Sequence, residues 1–346
     1  MRISKAFRGA GIPACLAGLL ASATPAAASD LTVGAFGGVW EQSLRRCVVE
    51  PFEKKTGKTV SVVLGTPAQW LNQVAASPAH PPLDVIYNPA DTAFEAINRH
   101  LLVQFTPEAV PNAFTLQSKF MGLGDSYGSP HNYGGMGLIY NTQTVKNPPK
   151  DWKAFIEGTV RGDWHASAPS INYPSGGFNE LWLFSKLYGG SVDDIQPGIE
   201  QFKRMEKSGN LAFWNDPNSV LNGLKSGDID IAMYWDGRAY SFIDGGNKGF
   251  AYYSPDPGVM VGITWIQVVK NAPPLALDYA NFSLTPAAQS CFGSAIRYGV
   301  ANKDATFDPA IQNEITPAAA LLVPPSQDIV PKEGAWLETW NKQIGR

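Results

Sequence analysis

The sequence predicts an α/β protein of about two domains, and three observations lead to that fold class. The chain has 346 residues, of which 44% are hydrophobic and 16% charged, so it is long enough to bury a sizeable core. Near the N-terminus, strand patterns alternate with helix patterns three times, which predicts a mostly parallel sheet. The 27 prolines and 34 glycines are typical of many short connections between strands and helices.

The N-terminus has the pattern of an export signal. Arg2, Lys5 and Arg8 precede a short apolar run from Ile12 to Leu20, and three small residues follow at 26–28. We therefore expect residues 1–28 to be a signal peptide. The apolar run is too short and too interrupted to span a bilayer.

Removal of this signal changes the formal net charge of the chain from −3 to −6. A negative mature chain argues against nucleic acid and against anionic membrane surfaces as partners. An alternative reading, lipid attachment at Cys15, has a poorly matching flanking sequence.

Two cysteines, Cys47 and Cys291, remain in the mature chain. In an oxidising compartment they are a possible disulfide, and their spacing indicates no metal site. The alternative is two buried free thiols, each on an apolar helix face.

The first strand, Leu31 to Phe36, ends at Gly37 and Gly38, and a helix opens at Trp40. Free N–H groups at a helix start favour an anion, and glycines allow its close approach. A plain tight turn explains the same residues.

Two more strand and helix pairs follow. After a strand at 59–64, Thr66 to Gln69 spells a capping box with proline at the first helical position. The next strand, Leu83 to Tyr87, stops at Asn88.

The middle of the chain repeats this arrangement. Met136 to Tyr140 is a predicted strand, and the glycines within Tyr133 to Gly137 are candidates for a hinge. A further strand, Ala168 to Tyr173, leads through Ser175, Gly176 and Gly177 into an apolar helix.

The stretch from Ile229 to Phe242 is the most informative. A strand, Ile229 to Met233, is followed by Trp235-Asp236-Gly237-Arg238. Ligands of open α/β sheets bind beyond the carboxyl ends of strands, and Gly237 would let the chain turn there into a new helix. The alternative is a core Trp235 and a surface ion pair between Asp236 and Arg238.

Catalytic motifs are missing from the sequence. It contains no nucleophile elbow, P-loop, dinucleotide fingerprint or zinc-protease motif, and its four histidines are scattered. Only His131 lies at a strand end. Aromatic and small polar residues at strand ends instead predict a cleft between two lobes that binds a ligand without reacting with it.

Several segments resemble, in their order along the chain, the periplasmic solute-binding proteins of ABC importers. The resemblance covers nearly all of residues 30–346 and is closest to the spermidine/putrescine-binding branch. The segments that carry it are Phe52 to Val60, Leu83 to Ile86, Gly137 to Asn141, Ser226 to Ala232, Trp235 to Arg238, and Tyr298 to Asn302.

This resemblance implies a type II periplasmic binding fold, in which two α/β lobes, each a mostly parallel sheet flanked by helices, are joined by two hinge crossings. We expect lobe I at 29–135 and 261–305, and lobe II at 136–260 and 306–346. Such a protein is a periplasmic monomer without enzymatic activity, cofactor or metal. It binds a small-molecule solute and then docks on an inner-membrane permease.

The expected solute contacts come from the resemblance and from the strand ends. They are Phe36, Gly37, Gly38, Trp40, Asn88, His131, Tyr133, Ser175, Gly176, Gly177, Trp235, Asp236, Arg238 and Thr264.

Two of these positions depart from the polyamine pattern, which has carboxylates at the turn before the lobe II helix and on the strand that returns to lobe I. Here the turn reads Ser175-Gly176-Gly177 and the strand has Thr264. An ammonium group desolvated without a carboxylate is costly. We therefore favour a small organic anion, such as a hydroxy- or dicarboxylate, held by the guanidinium fork of Arg238.

Two alternatives remain open at this stage. Asp236 would suit a polyamine or another amine. A periplasmic enzyme on the same fold, with Cys47 as nucleophile, is the other class, although thiols on apolar helix faces are usually inert.

Overall fold

The computed structural model of the protein describes residues 29–174 and 176–345. The predicted signal peptide, Ser175 and Arg346 lie outside the described residues.

Strands and helices alternate along most of the chain. The strands are β1 (Leu31–Ala35), β2 (Val60–Leu64), β3 (Val85–Pro89), β4 (Ser129–Asn141), β5 (Ala166–Pro169), β6 (Leu211–Trp214), β7 (Ile231–Trp235), β8 (Phe250–Tyr253), β9 (Val259–Val268), β10 (Gly299–Val300) and β11 (Leu321–Leu322). The helices are α1 (Val39–Leu44), α2 (Glu50–Thr56), α3 (Pro67–Ala76), α4 (Ala90–Asn98), α5 (Trp152–Arg161), α6 (Gly177–Leu187), α7 (Gln196–Lys207), α8 (Pro217–Ser226), α9 (Asp236–Asp244), α10 (Leu275–Ser283), α11 (Pro286–Ile296), α12 (Ser326–Ile329) and α13 (Glu333–Gln343). A π-helical turn, Arg45–Val49, joins α1 to α2.

The sheet contains two parallel groups of strands with two antiparallel strands between them. Its order is β2-β1-β3-β9-β4-β7-β5-β6, in which β1 is parallel to β2 and β3, and β5 is parallel to β6 and β7. The long strands β4 and β9 are antiparallel to each other and to their outer neighbours β7 and β3. The chain therefore crosses between its two halves along β4 and β9, as the predicted fold class requires.

Several predicted elements are confirmed, and the capping box shows why. The Thr66 side chain accepts a hydrogen bond from the Gln69 N–H, and the Gln69 side chain accepts one from the Thr66 N–H. The helix α3 then begins at Pro67 and ends at Ala76. A cap of this kind is worth about 1 kcal/mol to the helix.

Strand boundaries differ from the prediction near the cleft. β4 begins at Ser129 rather than Met136, so the predicted hinge from Tyr133 to Gly137 lies inside a strand that pairs with β9. β7 ends at Trp235 rather than Met233, and Asp236 is already helical. Propensity did not reveal these ends because strand pairing, rather than local sequence, sets them.

The largest apolar core cluster includes residues of both halves, and two smaller clusters lie within the first half. The C-terminal segment contacts both halves. Trp340 of α13 packs against Phe202 and Phe213 in the second half, at ring distances of 5.1 and 5.3 Å. α12 lies against α4 in the first half.

Among the described residues, no helix combines the length and apolar character needed to cross a membrane.

A disulfide joins Cys47, in the π-helical turn, to Cys291 on α11. Their Cα atoms are 5.6 Å apart, and 244 positions separate them in sequence. The bond therefore ties the start of the chain to a helix that follows the crossing on β9.

We predict that removing this disulfide destabilises the protein substantially, because it closes a very long loop in the unfolded chain. The double variant Cys47→Ser/Cys291→Ser should lose about 2–5 kcal/mol of unfolding free energy. Guanidinium unfolding of the two proteins measures this. Reductant should lower the midpoint of the parent and leave the variant unchanged, and equal midpoints for parent and variant would contradict the prediction.

Candidate functional site

A cavity of about 500 Å³ opens between the start of α1 and the first two turns of α9. We call it the cleft, and its volume is typical of small-molecule sites. Its described lining comprises Gly37, Gly38, Val39, Trp40, Ile296 and Tyr298 from the predicted lobe I, and Leu221, Gly237, Arg238, Ser241 and Phe242 from the predicted lobe II.

The lobe I wall is built where β1 turns into α1. Gly38 has φ 71° and ψ −140°, a conformation that glycine adopts without strain. Val39, directly after it, is 63% exposed. Trp40 is half-buried and packs edge-on against Tyr87 and Phe292, with ring centroids 4.9 and 5.0 Å away, so its indole is fixed in place.

The lobe II wall is one face of α9. Arg238, Ser241 and Phe242 are spaced three and four residues apart and therefore lie on the same side of the helix. Arg238 is exposed, and it forms none of the ion pairs found among the described residues. The cleft thus contains a guanidinium group without a protein carboxylate to pair with it.

Asp236 lies two residues before Arg238 and is fully buried. Its carboxylate accepts hydrogen bonds from the Gly135 N–H at 2.9 Å, the Thr316 hydroxyl at 2.6 Å and the Gly237 N–H at 2.7 Å. Burial raises the pKa of Asp236 to about 6, and these hydrogen bonds oppose the rise. Asp236 therefore serves the fold, and neither a surface ion pair with Arg238 nor an exposed solute contact fits its position.

Trp235 ends β7 and is 8% exposed. Its ring covers Gly262, where an added Cβ would lie 2.5 Å from a ring carbon. Its Nε1–H donates a hydrogen bond to the Tyr173 hydroxyl at 3.0 Å, and Tyr173 packs on Trp214. Trp235 is thus held by its neighbours, and little of its surface is open to a solute in this structure.

Gly237 has a different role from the one expected. It is helical and is not among the residues with positive φ, so no turn depends on its flexibility. An added Cβ would lie 2.5 Å from the ring of Tyr298. The glycine therefore lets Tyr298 pack directly on α9 and complete the cleft wall.

Three of the expected contacts lie in the core. Asn88 donates a hydrogen bond to the Gln267 side chain at 2.9 Å, and Tyr133 donates one to the Thr316 carbonyl. The ring nitrogens of His131 contact the side chains of Asn132 and Ser283 at 3.0 and 2.9 Å. Burial lowers the pKa of His131 to about 4, so it is neutral at pH 7. None of the three lines the cleft.

The remaining expected contacts are dispersed. Phe36 is half-buried against Trp40, at a ring distance of 5.2 Å. Thr264 is half-buried on β9, and Gly177 is buried against the Ser170 carbonyl, which an added Cβ would approach to 2.3 Å. Ser175 lies outside the described residues.

Gly176 lines a second, narrower cavity with Asp91 of α4, Asn179 of α6 and Glu333 of α13. Burial, and then the negative charges of Asp91 and Glu95, raises the pKa of Glu333 to about 7. This cavity is acidic, whereas the cleft has a guanidinium group.

Glu180 follows Asn179 and is fully buried. Neither of its carboxylate oxygens has a hydrogen-bond partner, and burial raises its pKa well above the usual range.

Within the described part of the chain, no group of three or more His, Cys, Asp or Glu side chains is arranged to hold a metal.

Seven residues of the cleft lining are absent from the expected contacts, and they are Val39, Leu221, Gly237, Ser241, Phe242, Ile296 and Tyr298. Gly237 was expected only as a turn residue. The helical spacing from Arg238 could have identified Ser241 and Phe242. Leu221 and Ile296 could not be predicted as cleft residues, because an apolar residue on a helix is normally interpreted as part of the core.

Comparisons with known proteins identify the wider group. A family model described as bacterial extracellular solute-binding protein matches residues 48–319. The thiamine-binding periplasmic protein of Salmonella typhimurium is 25% identical over 221 residues, which are 63% of this chain and 64% of that protein. The match thus spans just under two thirds of the relative's length.

Two solved structures have the same fold. One, from Bordetella parapertussis and assigned as an extracellular solute-binding protein, is 26% identical with a TM-score of 0.84, covering 91% of this chain and 98% of the other. The Agrobacterium tumefaciens protein AgtB in complex with agropinic acid is 20% identical with a TM-score of 0.69, covering 92% and 99%. The predicted class of protein and its type II fold are confirmed.

We predict that Asp236→Ala lowers the free energy of unfolding by about 2–4 kcal/mol, since three buried donors lose their acceptor. Urea unfolding without solute measures the loss. Asp278→Ala, at an exposed aspartate of α10, is the control and should change stability little. A loss no larger than that of the control would show that the buried hydrogen bonds are not needed.

We predict that Glu180→Gln is more stable than the parent at pH 7.5, and that the difference shrinks towards pH 4.5. Because burial raises the pKa of Glu180, the folded state keeps a proton that the unfolded chain releases above about pH 4.3. The unfolding free energy of the parent therefore falls as the pH rises. The glutamine variant has no carboxyl group at this position, so its unfolding free energy does not fall for this reason. Thermal melts across pH measure it. Glu206→Gln, at an exposed glutamate of α7, is the control, and an identical pH profile for both variants would contradict the prediction.

Proposed function

Because the chain belongs to the family of bacterial extracellular solute-binding proteins, we propose that it captures a small organic solute in the periplasm and delivers it to the permease of an ABC importer. The cleft supports this proposal, since both halves of the chain contribute to its walls. A site divided in this way gains solute contacts from both sides when the lobes close.

The solute is an organic anion bound by Arg238. The observation that carries this step is the exposed guanidinium on the cleft wall, which has no carboxylate partner among the described residues. The neighbouring Arg297 differs, since it pairs with both Asp244 and Glu314. An unpaired guanidinium beside apolar surface gains a strong bidentate pair when a carboxylate arrives. AgtB, a structural relative, binds an acid.

A second candidate is an amine, and the narrower cavity favours it. There the pKa of Glu333 is raised by burial and by the charges of Asp91 and Glu95. A cationic group would be attracted by this negative charge. The cavity's volume of about 10 Å³ is that of a single water, so an amine would bind there only after the cavity widened. One relative is named for binding thiamine, so amines are tested beside acids.

We predict that a panel of organic acids and polyamines gives thermal shifts with carboxylates only. At a hundredfold excess over the dissociation constant, an acid should stabilise the protein by about 2.7 kcal/mol. Shifts with putrescine or spermidine and with no acid would support the amine instead.

Arg238→Gln tests the same proposal at the residue. It should weaken acid binding by about 10- to 100-fold, since a charged hydrogen bond is worth about 1.5–3 kcal/mol. Arg46→Gln, at an exposed arginine of the π-helical turn outside the cleft, is the matched control and should bind normally. Calorimetry measures both, and unchanged affinity in the Arg238 variant would exclude it as the anion contact.

A further inference from the structure

The cleft has one charged side chain, and most of the rest of its described lining is apolar. Besides Arg238, the polar side chains are the hydroxyls of Ser241 and Tyr298 and the edge of Trp40. The Ser241 hydroxyl already donates to the Gly237 carbonyl at 2.7 Å. Among the described side chains of the lining, only Tyr298 and Trp40 are then left as donors for a second polar group on the solute, beside the backbone N–H groups where β1 turns into α1.

Aliphatic and aromatic side chains face each other across this space. Val39 and Ile296 stand on the lobe I side, and Leu221 and Phe242 on the lobe II side. Val39 is 63% exposed, although it is large and apolar. Leu221 and Ile296 are half-buried and Phe242 is only 8% exposed, so the open apolar surface comes mainly from Val39, Leu221 and Ile296. Such surface gains free energy when a ligand covers it.

These two features disfavour a dicarboxylate or hydroxycarboxylate. With one carboxylate on Arg238, a second polar group would lie against mostly apolar side chains, and it would lose hydration wherever the few donors of the lining do not reach it. Desolvation of this kind costs several kcal/mol for a charged group. An apolar group in the same place gains from burial.

We propose that the solute is a monocarboxylate with an apolar body, either aromatic or branched aliphatic. This inference rests on the function proposed above and narrows its solute class. The carboxylate pairs with Arg238, and the body lies between Val39, Leu221 and Phe242. The cleft, at about 500 Å³, has room for a body of this size.

Calorimetry of the purified protein with three matched probes tests the proposal. The probes are 3-phenylpropanoate, succinate and 2-phenylethylamine. We expect 3-phenylpropanoate to bind at least about tenfold more tightly than succinate, with a negative heat-capacity change, and the amine to bind no better than succinate. Succinate binding as tightly as 3-phenylpropanoate would overturn this inference and leave the proposed anion function intact. If none of the probes binds, the inference is overturned. If only the amine binds, both the inference and the proposed anion are contradicted.

Leu221→Asn locates the apolar body. It should weaken 3-phenylpropanoate binding by about tenfold, because removing an apolar contact commonly costs a factor of this size. Leu277→Asn makes the same chemical change at a leucine of α10 that is half-buried like Leu221 and lies outside the cleft lining, and it should bind normally. Melts of both unliganded variants verify folding. If Leu221→Asn folds and binds 3-phenylpropanoate as the parent does, the proposed position of the apolar body is wrong. Val39→Thr, at an exposed residue of the lobe I wall, tests the same position independently and should also weaken binding of 3-phenylpropanoate.

Discussion

The buried carboxylate of Asp236 holds together the elements on which the cleft depends. It joins β4 through Gly135, the C-terminal segment through Thr316, and the first turn of α9 through Gly237. Arg238 is the next residue of that helix, so its position follows from the same anchor. A carboxylate desolvated to this degree is stabilised only by such donors, and its raised pKa reports the remaining cost.

Glycines around this anchor act by allowing close packing. An added Cβ at Gly135 would lie 3.0 Å from the Thr316 hydroxyl, and one at Gly262 would enter the ring of Trp235. At Gly237 it would enter the ring of Tyr298. Flexibility predicts glycine at the same positions, which is why sequence reasoning interpreted some of them as turns or hinges. Close packing accounts for Gly237, which is helical, whereas the hinge predicted within Tyr133 to Gly137 stays a prediction.

The sequence was sufficient for most elements, but it missed the start of β4 and the end of β7 and could not separate cleft from core. Caps and periodicity are local signals, so α3 and its capping box were predictable. Whether a residue at a strand end faces the cleft depends on which strands are its neighbours. Asn88 and His131 meet partners from 150 or more positions away, Gln267 and Ser283, and no local pattern carries that information. Arg238 was recognisable because a lone guanidinium after a strand is unusual, whereas Leu221 looked like any core leucine.

The charge of the whole chain and the charge of the cleft have opposite signs, and the distance dependence of electrostatics reconciles them. The chain, with a formal charge of −3, or −6 without the predicted signal peptide, repels an anion weakly from afar. At physiological ionic strength, exposed charges more than about 8 Å away are largely screened. An anion in the cleft therefore experiences mainly the groups that line it. Among the described residues, those groups are one guanidinium and a largely apolar wall. In the proposed function, selection of the solute therefore rests on local contacts, with Arg238 attracting the carboxylate and the apolar wall favouring an apolar body over a second polar group.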